Sequence, residues 1–147
     1  MATPFTVVPA VYLFLLRDER VLLMRRWNTG FADGTYCAVA GHMDGGESVV
    51  AAMAREAREE IGVELAPADL EVVGVMHCRG DDGEREYVLF FLVARRWGGE
   101  PCNREPEKCD DVSWFPLDAL PTSTLPFVRR ALENHRRGVW FDSDGFG

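Results

Sequence analysis

The sequence lacks a cluster of basic residues. Its 147 residues include 16 Lys and Arg against 24 Asp and Glu, which gives a net charge of −8. Proteins that bind nucleic-acid polymers do so through clusters of Lys and Arg, so we expect no nucleic-acid polymer as the main partner. An acidic protein can still bind a small polyphosphate when a metal ion supplies the positive charge.

The sequence also lacks a zinc-type cysteine spacing and a long hydrophobic run. None of its cysteines form a C-x2-C pair, so we expect no zinc site and predict reduced thiols at Cys37, Cys78, Cys102 and Cys109. The apolar run at residues 7–16 contains Pro9, follows no basic stretch and is too short to cross a bilayer. We therefore predict a cytoplasmic protein with no membrane partner.

The chain has no internal repeats, low-complexity tracts or linker, and its length fits one domain at residues 1–147. Hydrophobic periodicity and turn residues predict strands at 6–16, 20–25, 36–40, 70–78, 87–97 and 112–115. They predict helices at 48–61 and 125–137, a helical turn at 117–120 and a turn-like tail at 138–147. This order predicts an α/β fold in which helices cover both faces of a mixed sheet.

Residues 41–63 combine a glycine-rich loop with a helix that carries three glutamates on one face. Glu56, Glu59 and Glu60 are spaced i, i+3 and i+4, so their carboxylates are neighbours on the helix surface. Like charges at this spacing destabilise a helix unless a cation binds between them. Because Mg²⁺ prefers oxygen ligands and is usually held by carboxylates together with substrate phosphates, we predict a magnesium site here.

The fixed positions of this segment follow the pattern G-x5-E-x7-R-E-U-x-E-E-x-G-U, where U is apolar. The pattern resembles the signature of the Nudix hydrolase family, and no fixed position departs from it. The resemblance implies an α/β/α sandwich with a mixed sheet and the signature loop and helix at its catalytic edge. It also implies dependence on Mg²⁺, with Mn²⁺ able to substitute.

The resemblance further implies roles for individual residues. Glu59 and Glu60 would be the principal metal ligands, together with the main-chain carbonyl of Ala40. Glu56 would be a metal ligand or the base that activates water, and Arg55 would orient it. Ordinary structural roles are the alternative, such as a helix ion pair for Arg55.

Two more acidic positions belong to the predicted site. Glu47 would support the signature loop, or would instead serve the helix N-terminus, where the dipole favours a carboxylate. The resemblance also implies an additional metal ligand from the later loop, where Glu105 is favoured over Glu107; the alternative is that both are solvated loop charges.

The predicted substrate-binding residues are less sharply defined. Arg25 and Arg26 end a predicted strand and could meet phosphates, and Gly41 lets the backbone approach a ligand. An aromatic platform for a base could come from one or more of four side chains, namely Trp27, Phe31, Tyr36 and Trp114.

We predict a pyrophosphohydrolase that cleaves a (deoxy)nucleoside triphosphate, including oxidised nucleotides, to monophosphate and pyrophosphate. The expected partner is this small nucleotide, and the chain is expected to be a monomer or a homodimer. One alternative is a non-catalytic nucleotide sensor, which the intact glutamate set disfavours. The other is a Nudix hydrolase of ADP-sugars, dinucleoside polyphosphates or RNA caps, of which the last is disfavoured by the acidic charge.

Overall fold

The computed structural model describes residues 2–147 and contains, over that range, eight strands and two α-helices. In chain order they are β1 (Val8–Arg17), β2 (Arg20–Arg26), β3 (Tyr36–Cys37), β4 (Val39–His42), α1 (Val49–Ile61), β5 (Glu71–Arg79), β6 (Glu86–Ala94), β7 (Cys109–Pro116), α2 (Pro126–Arg137) and β8 (Phe141–Asp144). Neither of the two helices is long and apolar enough to cross a membrane.

The sheet is built around β1, which pairs in parallel with β6 and antiparallel with β2 and β4. The strand order is β3-β2-β1-β6-β5-β8, with β4 joined to β1 and β7 joined to β2. Successive side chains of a strand face opposite sides, so Phe14 packs in the core on one face and Leu13 and Leu15 in the core on the other. The α/β fold with a mixed sheet is thereby confirmed.

Each face of the sheet has its own helix. Val128, Ala131 and Leu132 of α2 join the core that contains Phe14. Helix α1 buries Ala52, Met53, Ala57 and Ile61 in the other core, which leaves its glutamate face directed away from the sheet core. Burying one stripe of an amphipathic helix in this way is what fixes the direction of the polar stripe.

Both ends of α1 follow from local chemistry. The Ser48 side chain accepts a hydrogen bond from the Ala51 N–H at 3.1 Å, which satisfies one of the free donors at the helix N-terminus. Gly62 ends the helix in the left-handed conformation at φ 70°, where a side chain is disfavoured. A Cβ at Gly62 would also lie 2.8 Å from Cδ of Arg104, so this turn is crowded as well as left-handed.

Several predicted elements differ from the structure. The strand predicted at 36–40 is two strands, β3 and β4, which pair with different neighbours on either side of Ala38. The helical turn predicted at 117–120 is a hydrogen-bonded turn closed by Ala119 N–H and the Pro116 carbonyl at 3.1 Å. Strand β7 begins at Cys109, earlier than predicted, because pairing with β2 extends it through a register shift at Arg25/Arg26.

The tail predicted as turn-like contains β8, a short strand that pairs in parallel with β5. Its sequence, Phe-Asp-Ser-Asp, has little strand propensity, so the pairing depends on tertiary contacts. Arg130 of α2 donates to Asp142 at 2.6 Å and to Asp144 at 3.0 Å, and Asn134 donates to Asp142 at 2.9 Å. These side chains of α2 hold β8 against the sheet edge.

We expect the docking of β8 to weaken in acid. Hydrogen bonds from Asn134 and Arg130 lower the pKa of the Asp142 carboxyl. A lowered pKa means that the stabilisation is complete above the ordinary carboxyl range of about 4 and is lost as the pH falls through the lowered value. The protection factors of the β8 amides, which compare hydrogen exchange with that of an unstructured peptide at the same pH, should therefore fall below about pH 4. Asp142→Asn should expose these amides at neutral pH, whereas the exposed Asp118→Asn should not; equal protection in both variants would contradict the prediction.

Candidate active site

Arg55 is the centre of an ion-pair network that joins α1 to the glycine-rich loop. Its guanidinium donates to both oxygens of Glu47, at 3.0 Å from Nε and 2.7 Å from Nη2. It also donates from Nη1 to Glu56 at 2.8 Å and, at the longer distance of 3.4 Å, to Glu59. Such a bidentate, charge-assisted pair fixes the plane of the guanidinium and with it the position of Glu56.

Glu47 connects this network to the loop backbone. Its Oε1 also accepts from the backbone N–H of Asp44 at 2.8 Å. The Arg55 hydrogen bonds and then the Asp44 N–H lower the pKa of the Glu47 carboxyl, so it is ionised at neutral pH. The structure thus places Glu47 in the loop–helix contact, and the side-chain cap of the helix comes from Ser48.

Gly41 lies directly against the Glu56 carboxylate. A Cβ built at Gly41 would overlap the carboxylate carbon and oxygens of Glu56. The absence of a side chain at this position therefore allows Glu56 to contact β4. Gly41 itself does not line the cavity that Glu56, Glu59 and Glu60 share.

Glu56 and Glu60 form a pair of carboxyl groups with little access to solvent. The side chain of Glu56 is only 13% exposed, whereas that of Glu59 is 53% exposed. Burial, followed by contact with the Glu56 carboxylate and the charge of Glu105, raises the pKa of Glu60. Ionisation of both members of such a pair of adjacent carboxyl groups costs free energy, unless a cation compensates their charge.

Ala40 of β4 lies beside the same carboxyl groups. Its N–H donates to Glu60, and this hydrogen bond favours the ionised form. The Met43 N–H donates to the Pro9 carbonyl at 3.0 Å, so these two residues form a hydrogen-bonded pair at the end of the β1–β4 ladder. Hydrogen-bonded and non-hydrogen-bonded pairs alternate along an antiparallel ladder. Val11 and Gly41 are therefore hydrogen-bonded, and Ala40, opposite Tyr12, is not. Both backbone groups of Ala40 therefore face away from β1, and its N–H lies towards Glu60.

The loop before β7 is fastened to the end of α1 by main-chain hydrogen bonds. Arg104 N–H donates to the Glu60 carbonyl and Cys102 N–H to the Ile61 carbonyl, each at 3.0 Å. This places Glu105 beside the helix glutamates. Burial raises the pKa of the Glu105 carboxyl most, Lys108 opposes this effect, and the charges of Glu107, Glu56 and Glu59 add to it. Glu107 is exposed and lies outside the cavity that the other carboxylates line.

The carboxylates described above that lie together, those of Glu56, Glu59, Glu60 and Glu105, line one cavity of about 560 Å³. Its acidic and backbone components are the predicted residues Ala40, Glu56, Glu59, Glu60 and Glu105. Arg25 and Arg26 also line it: Arg25 is held by Asp110 at 2.7 Å, and Arg26 by the Phe31 carbonyl at 2.7 Å. The structure thus brings predicted carboxylates and predicted phosphate-binding arginines into a single cavity.

The predicted aromatic residues divide into two groups. Trp27 and Phe31 are 52% and 63% exposed and belong to the loop whose other residues, Asn28 and Thr29, line the cavity. Tyr36 is buried, packs edge-on against Phe115 and hydrogen-bonds to Asp111.

Trp114 also lies outside the cavity. It stacks on Trp97 at a centroid distance of 5.9 Å, and Arg17 covers both rings. The structure therefore brings neither Tyr36 nor Trp114 to the carboxylate cavity, and only Trp27 and Phe31 remain candidates for base stacking.

Further residues line the cavity that were not predicted from the sequence, namely Met24, Asn28, Thr29, Cys37, Ala38, Lys108 and Cys109. Most of them carry no chemical signal in the sequence, although Lys108 follows the loop glutamates closely. Burial raises the pKa of the Cys37 thiol to about 12, which disfavours the thiolate that a nucleophilic role requires.

The donor set fits a hard divalent cation. All candidate donors are oxygens; Arg55 already pairs with Glu56, whereas Glu60 forms no ion pair within residues 2–147 and its charge would be compensated by a bound cation. Within residues 2–147, no three acidic, histidine or cysteine side chains already stand at metal-coordinating spacing. Glu59 is turned towards Arg55 at 3.4 Å, so coordination requires a rotation of this exposed side chain.

Comparison with known proteins defines the class to which this fold and site belong. A family model described as the NUDIX domain matches residues 6–139, so the chain belongs to the NUDIX family. The recognition from the signature is thereby confirmed. Members of this family are hydrolases that act on phosphoanhydride bonds and generally need a divalent metal.

Two groups of relatives are the most informative. "NAD-capped RNA hydrolase NudC" of Pseudomonas aeruginosa PAO1 is 36% identical over 127 residues, which are 86% of this chain and 41% of that protein. The chain spans about two fifths of the length of such curated relatives. A MutT NUDIX hydrolase from Burkholderia pseudomallei superposes with a TM-score of 0.80 at 28% identity, over 88% of this chain and 98% of the other.

Proposed function

We propose that this chain is a Mg²⁺-dependent pyrophosphohydrolase whose first substrate class is the (deoxy)nucleoside triphosphates, cleaved to monophosphate and pyrophosphate. The observation that supports this most is that one cavity is lined both by carboxylates and by arginines. The carboxylates are those of Glu56, Glu59, Glu60 and Glu105, and the arginines are Arg25 and Arg26. Carboxylates alone would repel a polyphosphate, and arginines alone would bind it without activating water. Together they suit a metal–polyphosphate complex.

The proposed roles follow from the contacts of each residue. Glu60, Glu59 and the Ala40 carbonyl would hold the cation, with Glu105 as an additional ligand. Bound there, the metal would neutralise phosphate charge and lower the pKa of a water nucleophile.

The remaining polar residues act around that centre. Glu56 is positioned by Arg55 at 2.8 Å to take a proton from the attacking water or to complete the metal site. Arg25 and Arg26 would bind non-bridging phosphate oxygens, and Trp27 and Phe31 would stack on the base.

A second substrate class is supported by the named relatives. The 36% identity to NAD-capped RNA hydrolase extends over 86% of this chain, and a dinucleotide presents the same phosphoanhydride linkage. The net charge of −8 favours the free dinucleotide over a capped RNA polymer as a ligand of this chain.

A substrate panel with Mg²⁺ tests both classes. We expect release of pyrophosphate from one or more canonical or oxidised triphosphates, or of nucleoside monophosphates from NAD, and loss of all turnover when the metal is chelated. Readdition of Mg²⁺ or Mn²⁺ should restore it, which excludes irreversible damage by the chelator. Turnover that persists in excess chelator would contradict the metal assignment.

The panel also separates catalysis from simple binding. Nucleotides that raise the melting temperature without being hydrolysed would show binding to the native state only. That result across the panel would replace the hydrolase proposal with a nucleotide sensor.

A further inference from the structure

Lys108 is the only lysine in the chain, because fifteen of the sixteen basic residues are arginines. This single ammonium group belongs to a residue that lines the carboxylate cavity. It is therefore the one primary amine that the side chains of this protein bring to the site.

The backbone of Lys108 is fixed on both sides. Its N–H donates to the Glu105 carbonyl at 2.9 Å, and its carbonyl accepts from the Trp27 N–H at 2.9 Å. These bonds tie Lys108 at once to the turn that carries Glu105 and to the aromatic loop after β2. The base of the side chain is thus held between the predicted metal ligand and the predicted base-stacking loop.

The ammonium group, in contrast, forms no hydrogen bond or ion pair within residues 2–147. Arg25 is paired with Asp110 at 2.7 Å, and Arg26 donates to the Phe31 carbonyl and to Thr29. Among residues 2–147, Lys108 forms no ion pair, and its charge reaches Glu105 only at longer range. Of the three cations of the cavity, Lys108 alone keeps its full hydrogen-bonding capacity for a ligand.

We propose that the ammonium group of Lys108 binds non-bridging phosphate oxygens of the nucleotide in the carboxylate cavity, an inference that rests on the proposed function. Lysine is suited to this role because its ammonium is a compact point charge on a flexible stem with three donors. The flexible ammonium group can adjust its position to the phosphate groups of a bound nucleotide, whereas the guanidinium groups of Arg25 and Arg26 are held in place by their protein partners.

The single lysine makes a direct test possible. An amine-selective acylating reagent modifies Lys108 as the one lysine side chain, and Arg20→Lys supplies a reference amine. Arg20 is exposed at the start of β2, roughly 20 Å along the strand from Arg26. Modification at both positions is measured by peptide mass spectrometry, with and without Mg²⁺ and a triphosphate whose α,β-bridge is a methylene group.

We expect the bound analogue to slow acylation of Lys108 about tenfold or more at saturation, with no change at the lysine introduced at position 20. The analogue must also raise the melting temperature, which shows that it is bound. A thermal shift without protection of Lys108 overturns this proposal and leaves the hydrolase intact. Absence of any thermal shift overturns the triphosphate substrate and the Lys108 proposal with it.

Kinetics give an independent readout. Lys108→Gln should raise KM about ten- to fiftyfold with little change in kcat, because a charge-assisted hydrogen bond to the substrate is lost. Lys108→Arg should restore most of the affinity, and Arg20→Gln, which removes the same charge outside the cavity, should leave KM unchanged. A KM in Lys108→Gln equal to that of the wild type overturns the proposal.

Discussion

Replacement of Glu60 by glutamine is expected to lower kcat about a thousandfold, since a metal centre contributes several kcal/mol to transition-state stabilisation. Glutamine keeps the length of the side chain, can still accept from the Ala40 N–H and can donate to Glu56. It removes only the charge with which Glu60 would hold the cation. The loss should therefore appear in kcat and in the metal concentration needed for half-maximal activity.

The same variant should be at least as stable as the wild type when metal is absent. Burial and the neighbouring Glu56 already disfavour the ionised form of Glu60, as its raised pKa shows, so a neutral amide relieves an unfavourable contact. Urea unfolding in the presence of a chelator measures this. Glu64→Gln, which alters an exposed ion pair with Arg58 outside the cavity, is the matched control. Wild-type turnover in Glu60→Gln would remove Glu60 from the metal site.

The second large effect is expected at a position with no functional group. Gly41→Ala would place a methyl group on the Glu56 carboxylate, which must then move and lose its hydrogen bond to Arg55. Displacement of a catalytic group by about 1 Å can cost about a hundredfold in rate, so we expect a fall in kcat of that order. Because the group that gives way is a side chain and not backbone, unfolding free energy should change by only about 1 kcal/mol.

Gly45→Ala separates this steric effect from a general sensitivity of the loop. A Cβ at Gly45 meets no heavy atom within 4 Å, and its φ is not in the left-handed region. We expect this variant to keep nearly full activity. If Gly41→Ala were as active as Gly45→Ala, the position of Glu56 would not control the chemistry.

The fold was predictable where hydrophobic periodicity and a local stop signal agreed. Helix α1 is an example, since its apolar stripe, its Ser48 cap and Gly62 all lie within one continuous segment. Strand β8 was not predictable, because Asp142 and Asp144 favour a turn by themselves and become strand residues only through Arg130 and Asn134 of α2. Contacts between distant segments leave no periodic signal in the shorter one.

The candidate site shows the same division. The spacing of Glu56, Glu59 and Glu60 on one helix fixes their common direction, and the structure brings them together with Glu105. Aromatic side chains carry no such constraint: Trp114 pairs across the sheet with Leu22 and stacks on Trp97 instead of entering the cavity. The position of Lys108 beside the cavity depends on the irregular pairing of β2 with β7 at Arg25/Arg26, which has no local sequence signal.

The way in which the loop before β7 is fastened to α1 has a consequence for how this enzyme can diversify. The two hydrogen bonds, from the N–H groups of Arg104 and Cys102 to the carbonyls of Glu60 and Ile61, involve peptide groups and not side chains. Any amino acid except proline can donate such a hydrogen bond. Side chains around Glu105 and Lys108 can therefore change by mutation while the segment stays bound to α1. Substrate preference can change in this way while the glutamates of α1 keep their positions.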